Sequence, residues 1–315
     1  MKPRSDVALL CVTHDSRQLL GAFADATRAA IADVDARIVV IDSGSRDDTV
    51  AVARDQLPDA DVISLDGNRG YAAGINAGVA QVRASGGAEV YVVLNPDVLL
   101  TPGAVTRLVR ALLSQGAGLA VPQLRDEHGA LQQSLRRAPS AVATWLEAFL
   151  GGPLAGRLRF PTEVVWDVSA YAVDRTAAWA TGGMMAITEE CMHTVGPWDE
   201  SFFLYEEEVD FSLRAADAGF RLAYVSSAVA TRLTGSDRVT PWAQALMRVN
   251  RVSLLRRRGA PVRAALVRAG YLVGAGIRSA AGRKADRAAA WALWRNASPA
   301  RVLERYRPDA GAVLR

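Results

Sequence analysis

The chain has 315 residues, half of them apolar and 22% charged, with a formal net charge of +4. That is enough material for one large domain or two, and the balance excludes a disordered, collagenous or low-complexity chain. Two cysteines, Cys11 and Cys191, exclude a disulfide framework and fit a reducing compartment.

In chain order, the apolar runs Val7–Val12 and Arg37–Asp42 read as strands separated by a helix over Arg17–Ala32. The first run is too short for a secretory signal and is cut off by Thr13-His14-Asp15. Asp47–Gln56 reads as a second helix, Asp61–Leu65 as a third strand and Ala72–Arg83 as a third helix. Val90–Leu94 is a fourth strand, dense in β-branched and aromatic residues as expected of one buried on both faces. It ends at Asn95-Pro96, because proline lacks a ladder donor and biases its predecessor to an extended conformation. Pro102–Ser114 is helical and Leu119–Val121 a fifth strand. This alternation predicts an α/β fold, a mostly parallel central sheet with flanking helices.

After Pro122 the pattern loosens. Asp126–Gly129 is a turn, Pro139–Gly156 an apolar helix or lid, and Val164–Val173 and Gly183–Ile187 are strands. Glu206–Ala218 is a helix stopped by Gly219, followed by a strand at Arg221–Val225. Trp242–Arg258 and the segments beyond it form basic, Ala-rich helices. No uncharged stretch of roughly 18 residues marks a spanning helix. The charge is uneven: from Arg248 to Arg315 there are 16 Arg+Lys against 3 Asp+Glu. An acidic body with a basic tail carrying Trp291 and Trp294 points to an anionic membrane surface. A solvated appendage or homodimer contact is the plainer reading of the tail. Nucleic acid is excluded for want of a stacking platform or groove-reading motif.

Three turns fall on the sheet edge where open α/β folds bind ligands: Thr13-His14, Asp42-Ser43-Gly44-Ser45, and Asn68-Arg69-Gly70 running on to Gly74-Ile75-Asn76. A carboxylate at Asp42 can accept from a pyrimidine imide. Gly70 and Gly74 let backbone approach a ligand, and the next helix offers its positive end to phosphate. Taken singly, each is an ordinary βα turn. A fourth turn, Asn95-Pro96-Asp97, leaves one carboxylate just past the strand end.

Together with Gly182-Gly183, Trp198-Asp199-Glu200-Ser201-Phe202-Phe203-Leu204-Tyr205 and Glu207-Glu208-Val209-Asp210, these turns have a specific order and spacing. On those residues the chain resembles the family 2 glycosyltransferases of GT-A fold, most closely their rhamnosyltransferase-like branch, over about Val7 to Ser236. The resemblance implies a transferase domain over residues 1–236 and a basic helical region over 237–315. It implies an inverting transfer of a sugar, L-rhamnose from dTDP-rhamnose, from a dTDP- or UDP-sugar to a hydroxyl. The acceptor it favours is a polyprenyl-diphosphate-linked sugar in cell-wall or polysaccharide assembly, handled by a cytoplasmic protein peripheral on the inner face of the plasma membrane. A small natural-product acceptor, or a degenerate nucleotide-sugar-binding protein, are the alternatives.

By the same resemblance, Thr13, Asp42, Ser45, Asn68, Arg69, Gly70, Gly74, Asn76, Asn95 and Arg232 form the nucleotide-sugar site. Asp97 holds Mg²⁺ or Mn²⁺ on the diphosphate, a hard ion suited to oxygen ligands. Gly182, Gly183, Trp198 and Asp199 meet the acceptor. Glu208 is the base that deprotonates the hydroxyl, with Glu207 beside it. The chain departs from the family pattern twice, with Glu208 where aspartate is usual and Arg232 where many relatives carry a metal-side histidine. An arginine there neutralises a diphosphate directly.

Overall fold

The computed structural model describes residues 5–233, 240–280, 282 and 284–306; Ser236, where the resemblance ends, lies outside them. The first half runs β1 (Ser5–Thr13), α1 (Leu20–Ala30), β2 (Ala36–Asp42), α2 (Thr49–Gln56), β3 (Asp61–Ser64), α3 (Tyr71–Ala84), β4 (Ala88–Leu94), β5 (Val98–Leu100), α4 (Ala104–Ser114) and β6 (Leu119–Asp126). The second runs β7 (Leu135–Arg136), α5 (Ala141–Leu150), α6 (Gly152–Arg157), β8 (Arg175–Ala177), β9 (Trp179–Ala180), β10 (Met184–Thr188), α7 (Glu189–Val195), α8 (Glu207–Asp217) and β11 (Leu222–Arg232). Four helices follow: α9 (Pro241–Arg257), α10 (Pro261–Ala280), α11 (Lys284–Trp294) and α12 (Pro299–Tyr306).

The main sheet has the order β3-β2-β1-β4-β10-β6-β11-β5, with β8 also paired to β11. β3, β2, β1 and β4 are mutually parallel, the expected alternation. β10 then enters antiparallel between β4 and β6. Period-2 alternation sends Ala8, Leu10 and Val12 to one face against α3 and α8, and Val7, Leu9 and Cys11 to the other against α1 and α4. Burial on both faces is why these strands read as unbroken apolar runs.

Three expectations need correction. Val164–Val173 is not a strand: Val168–Tyr171 is a 3-10 turn whose first backbone donors are met by Asp167, which accepts from Ser169 N. Val168 and Val173 face solvent, so no sheet stabilises an extended form there. The segment 139–156 is not a free lid, because α5 packs along α10 where Gly270 meets Thr144 and Trp145 and Gly274 meets Ala148. Nor is the tail a solvated appendage. α9 to α12 build a core of their own around Leu246, Val252, Ala289 and Leu303, with Phe203 at its edge. Within it Trp291 is half-buried with the Arg305 guanidinium 4.1 Å from its ring centre, while Trp294 is exposed.

Candidate active site

Both β1 and β4 stop at the same edge, and a cleft of about 830 Å³ opens over their carboxyl ends. Thr13, His14, Ser43, Asn68, Gly70, Tyr71, Asn95, Asp97, Phe203 and Leu204 line it. Of the expected nucleotide-site residues, Thr13, Asn68, Gly70 and Asn95 therefore reach the cleft, as does Asp97. Asn68 is a turn organiser as well, its Oδ1 accepting from Gly70 N at 3.1 Å and Ser43 Oγ at 3.3 Å. Gly70 has φ +85, and a Cβ there would sit 2.2 Å from the Phe203 carbonyl oxygen. Only glycine admits that approach, which lets Tyr71 N donate to the same oxygen at 3.2 Å.

The other expected residues sit elsewhere. Asp42 is buried below the cleft and spends its carboxylate on the turn itself, accepting from Ser45 N at 3.0 Å, Thr13 Oγ1 at 3.3 Å and the Ser45 hydroxyl. Gly74 packs α3 on β1, where a Cβ would press on Val12. Arg69 points away to Glu200, at 3.2 Å. Asn76 clasps the Trp198 backbone in both directions, accepting from its N–H and donating to its carbonyl, each at 2.9 Å. Trp198 in turn is stacked on Phe211 in the core with ring centres 4.6 Å apart, and Asp199 pairs with Arg257 at 2.7 Å. Asn76, Trp198 and Asp199 thus fasten the loop ahead of α8 to α3 and α9, and lie away from the cleft.

The loop they fasten is strained. Tyr205 and Glu206 are consecutive non-glycine residues at φ +68 and +78, a conformation that persists only when its surroundings fix it. α9 does so: Asn250 Nδ2 donates to the Leu204 and Tyr205 carbonyls, each at 3.0 Å, and Arg251 binds Glu206 on one side and Glu163 at 2.7 Å on the other. Two carboxylates share that guanidinium, and burial pushes Glu206 up to about 7 in spite of it. Glu206 is therefore not a solvated helix start. This network carried no local sequence signal, since Glu163, Glu206 and Arg251 are far apart in the chain. A second cavity of about 540 Å³ lies beside it, lined in part by Arg136, Glu163, Glu206 and Arg251.

The bend delivers Glu207 and Glu208 to the first turn of α8, each with one buried oxygen that has no partner. Burial raises both carboxyls. Glu207 is pushed up further by Glu208 beside it and lies well above the usual range. For Glu208, backbone N–H groups, among them that of Gly182, and the charges of Arg251 and Arg136 work against burial. Both acids thus hold a proton more tightly than an exposed glutamate, Glu207 the more so. Tyr71 lies among them: burial and then the charges of Cys11, Glu207, Glu208 and Asp97 hold its phenol well above its ordinary value.

Asp97 follows β4, and the pairing of β5 with β11 sets Arg232 opposite Val98. That register brings Arg232 Nε to 3.1 Å from Asp97 Oδ2 and its Nη1 to 3.5 Å from the Gly182 carbonyl. Gly182 faces Glu208, whose Oε1 a Cβ at that glycine would meet at 3.7 Å. Gly183 accepts from Asn95 N at 2.9 Å and so ties the Gly182 loop to the β4 turn. Asp97 Oδ1 remains buried without a partner. A divalent ion that keeps phosphate and water oxygens needs only one or two carboxylates, so this oxygen fits one arriving with a diphosphate. Among the described residues no group of three His, Cys, Asp or Glu could hold an ion by protein ligands alone.

Residues 12–151 match the family "Glycosyl transferase family 2". The chain is 29% identical over 199 residues to an N-acetylglucosaminyl-diphospho-decaprenol L-rhamnosyltransferase of Mycobacterium tuberculosis, a match covering 61% of this chain and 64% of that protein. The match thus spans less than two thirds of the relative's own length. Among solved structures, GalNAc-T7 with UDP, GalNAc and Mn²⁺ superposes with a TM-score of 0.58 at 15% identity, covering 80% of this chain and 48% of that one. A mannosyltransferase from Pyrobaculum calidifontis with GDP-Man and Mn²⁺ gives 0.56 at 16% identity, covering 98% and 83%. The fold is the GT-A fold, and within it residues 12–151 match the family 2 glycosyltransferases while the chain is similar to a rhamnosyltransferase.

Proposed function

We propose that the chain is an inverting glycosyltransferase that moves a sugar, L-rhamnose from dTDP-rhamnose, to a hydroxyl of a polyprenyl-diphosphate-linked sugar in cell-wall or polysaccharide assembly. One observation carries the reading: Arg232 stands between Asp97 and Gly182, and Glu208 lies against that same Gly182. The carboxylate suited to the leaving diphosphate and the carboxylate suited to the incoming hydroxyl are thus linked through Arg232 and Gly182, on one side of the site where a single displacement needs both. In this reading the cleft holds the nucleotide sugar, Arg232 meets charge developing on the diphosphate, and Glu208 takes the hydroxyl proton. Bound with the diphosphate, Mg²⁺ or Mn²⁺ would neutralise the leaving group, with Asp97 Oδ1 as its protein ligand. The relative's name supports a rhamnosyl donor and lipid-diphosphate acceptor, and Mn²⁺ in both solved neighbours supports the ion.

We place the protein peripherally at the inner face of the plasma membrane, with residues 1–236 as the transferase domain and the basic region 237–315 toward anionic lipid. Among the described residues no helix is long and apolar enough to cross a membrane. A second reading rests on the Arg232–Asp97 pair, in which the guanidinium already neutralises the carboxylate a metal would share. It makes the chain a nucleotide-sugar binder without turnover. Incubation with dTDP-L-rhamnose, UDP-sugars and a prenyl-diphosphate-linked acceptor, with and without Mn²⁺, separates the two. Acceptor-dependent release of a nucleoside diphosphate establishes transfer. Stabilisation by a nucleotide sugar without release establishes the binder, and neither result leaves the glycosyltransferase reading without a donor.

A further inference from the structure

α5, α6 and α10 carry large apolar side chains where solvent meets them. On α10 the residues Val262, Leu266, Ala269, Val273 and Ile277 fall within about 80° of one another at 100° per residue, the outward stripe of a 20-residue helix. Val262, Leu266 and Ile277 are exposed, at 73%, 48% and 45%. On α5 the matching stripe is Val142, Trp145 and Phe149, with Phe149 62% exposed. The two helices run in the same direction, since Gly270 meets Thr144 and Gly274, one turn further on, meets Ala148, while Trp145 Nε1 donates to the Leu266 carbonyl at 3.1 Å. Gly270 and Gly274 mark the side of α10 that meets α5, and Thr144 and Ala148 the side of α5 that meets α10. Measured from that seam, the stripes turn by roughly 80° in one sense and 105° in the other, so both open on the same side. On and just after α6, Leu154, Leu158 and Phe160 are exposed as well.

We infer that this face docks on an anionic lipid bilayer, with the stripes of α5 and α10 lying in the headgroup region parallel to the membrane plane. The charge around it selects that occupant. α10 and α6 contain no acidic residue. Glu147 of α5 is turned inward, where its Oε1 accepts from Glu163 N at 3.1 Å. Arg157, Arg159 and Arg263 are exposed on the same segments, so cations flank the apolar strip, with Asp167 beside Arg159 as a neighbouring anion. Arg263, Arg268 and Arg278 interrupt α10 along its length, so it is not a spanning helix, and its geometry is that of one lying on an interface. The strip also carries an aromatic side chain whose indole N–H is already satisfied by protein, Trp145, which costs nothing to bury further. The contact is thus led by apolar insertion from α5, α6 and α10, with charge as its complement, while Trp294 of the tail plays no part in it.

The inference rests on the membrane-side location proposed above and is independent of the transfer chemistry. It is tested by co-flotation of the full chain with unilamellar vesicles of equal phosphatidylglycerol and phosphatidylcholine, beside vesicles of phosphatidylcholine alone. The expected result is binding to the anionic vesicles that persists in part at 0.5 M NaCl and falls at least tenfold in Phe149→Asp/Ile277→Asp. Arg157→Glu/Arg263→Glu should abolish the preference for the anionic lipid, and Trp294→Ala should bind like wild type. Circular dichroism and the thermal shift given by nucleotide serve as folding controls, since none of these side chains reaches the cleft. If wild type floats but Phe149→Asp/Ile277→Asp floats equally well, the location stands and this face is refuted. If wild type ignores both vesicles, both are refuted. A wild-type dimer in light scattering that Phe149→Asp/Ile277→Asp dissociates, without vesicle binding, makes the face an interface between copies instead.

Discussion

Replacing Gly70 by alanine tests whether the cleft is organised by a backbone contact rather than by its polar side chains. The residue sits at φ +85 and ψ 178, a region that is essentially glycine-only, and holding alanine there costs about 1–3 kcal/mol. The new Cβ would lie 2.2 Å from the Phe203 carbonyl oxygen, a backbone atom that no rotamer change can move aside. Pushing it away adds overpacking of about 1–3 kcal/mol. It also strains the bond from Tyr71 N to that oxygen, about 0.5–1.5 kcal/mol more. Gly67 is the control, with φ +79 and nothing within 4 Å of a built Cβ, so Gly67→Ala carries only the left-handed penalty of about 1–2 kcal/mol. From the middle of each range, urea unfolding should therefore place Gly70→Ala about 3–4 kcal/mol below Gly67→Ala. Because Gly70 and Phe203 both line the cleft, calorimetry should also show a loss of nucleoside diphosphate affinity in Gly70→Ala alone. Equal stabilities for the two variants would refute the contact as the organiser of this edge.

Three further outcomes are expected. Glu208→Gln keeps the shape of the α8 start and removes the group that takes the proton, so turnover should fall by roughly 10²–10⁴-fold with donor affinity retained; a larger loss in Glu207→Gln would reverse the two roles. Asp42→Ala should lower stability as well as nucleotide affinity, by about 1.5–3 kcal/mol in urea unfolding, because its carboxylate already serves Ser45 and Thr13; lost affinity at unchanged stability would show direct base contact instead. Glu206 binds its proton more tightly folded, at about 7, than the ordinary 4.5, so between those values the folded state holds more proton than the unfolded chain. Its contribution is present below about pH 4.5 and is lost as pH rises toward 7, by an amount on the order of 1–3 kcal/mol. The slope of stability against pH in that window should flatten in Glu206→Gln, and an unchanged slope would exclude this carboxyl as its source.

Much of the frame was determined by sequence alone, because periodicity is local. Val7–Val12, Arg37–Asp42 and Val90–Leu94 announce strands covered on both faces, and the polar, glycine or proline residues that follow each run fix where it stops. The order of the turns was enough to bring Thr13, Asn68, Gly70, Asn95 and Asp97 to one edge. Tertiary structure alone decided which polar groups remain free there. Asn76, Trp198 and Asp199 belong to motifs of the right spacing, yet their hydrogen bonds and stacking are spent on one another and on Arg257 and Phe211. Asp42 is likewise consumed by its own turn. Nor does spacing distinguish three consecutive glutamates: α9 claims Glu206 through Arg251, and only then do Glu207 and Glu208 face inward. The Arg232–Asp97 pair depends on β5 lying beside β11, a pairing across more than a hundred residues. Such pairings follow from which surfaces bury together, and a pattern read along the chain contains no information about the partner.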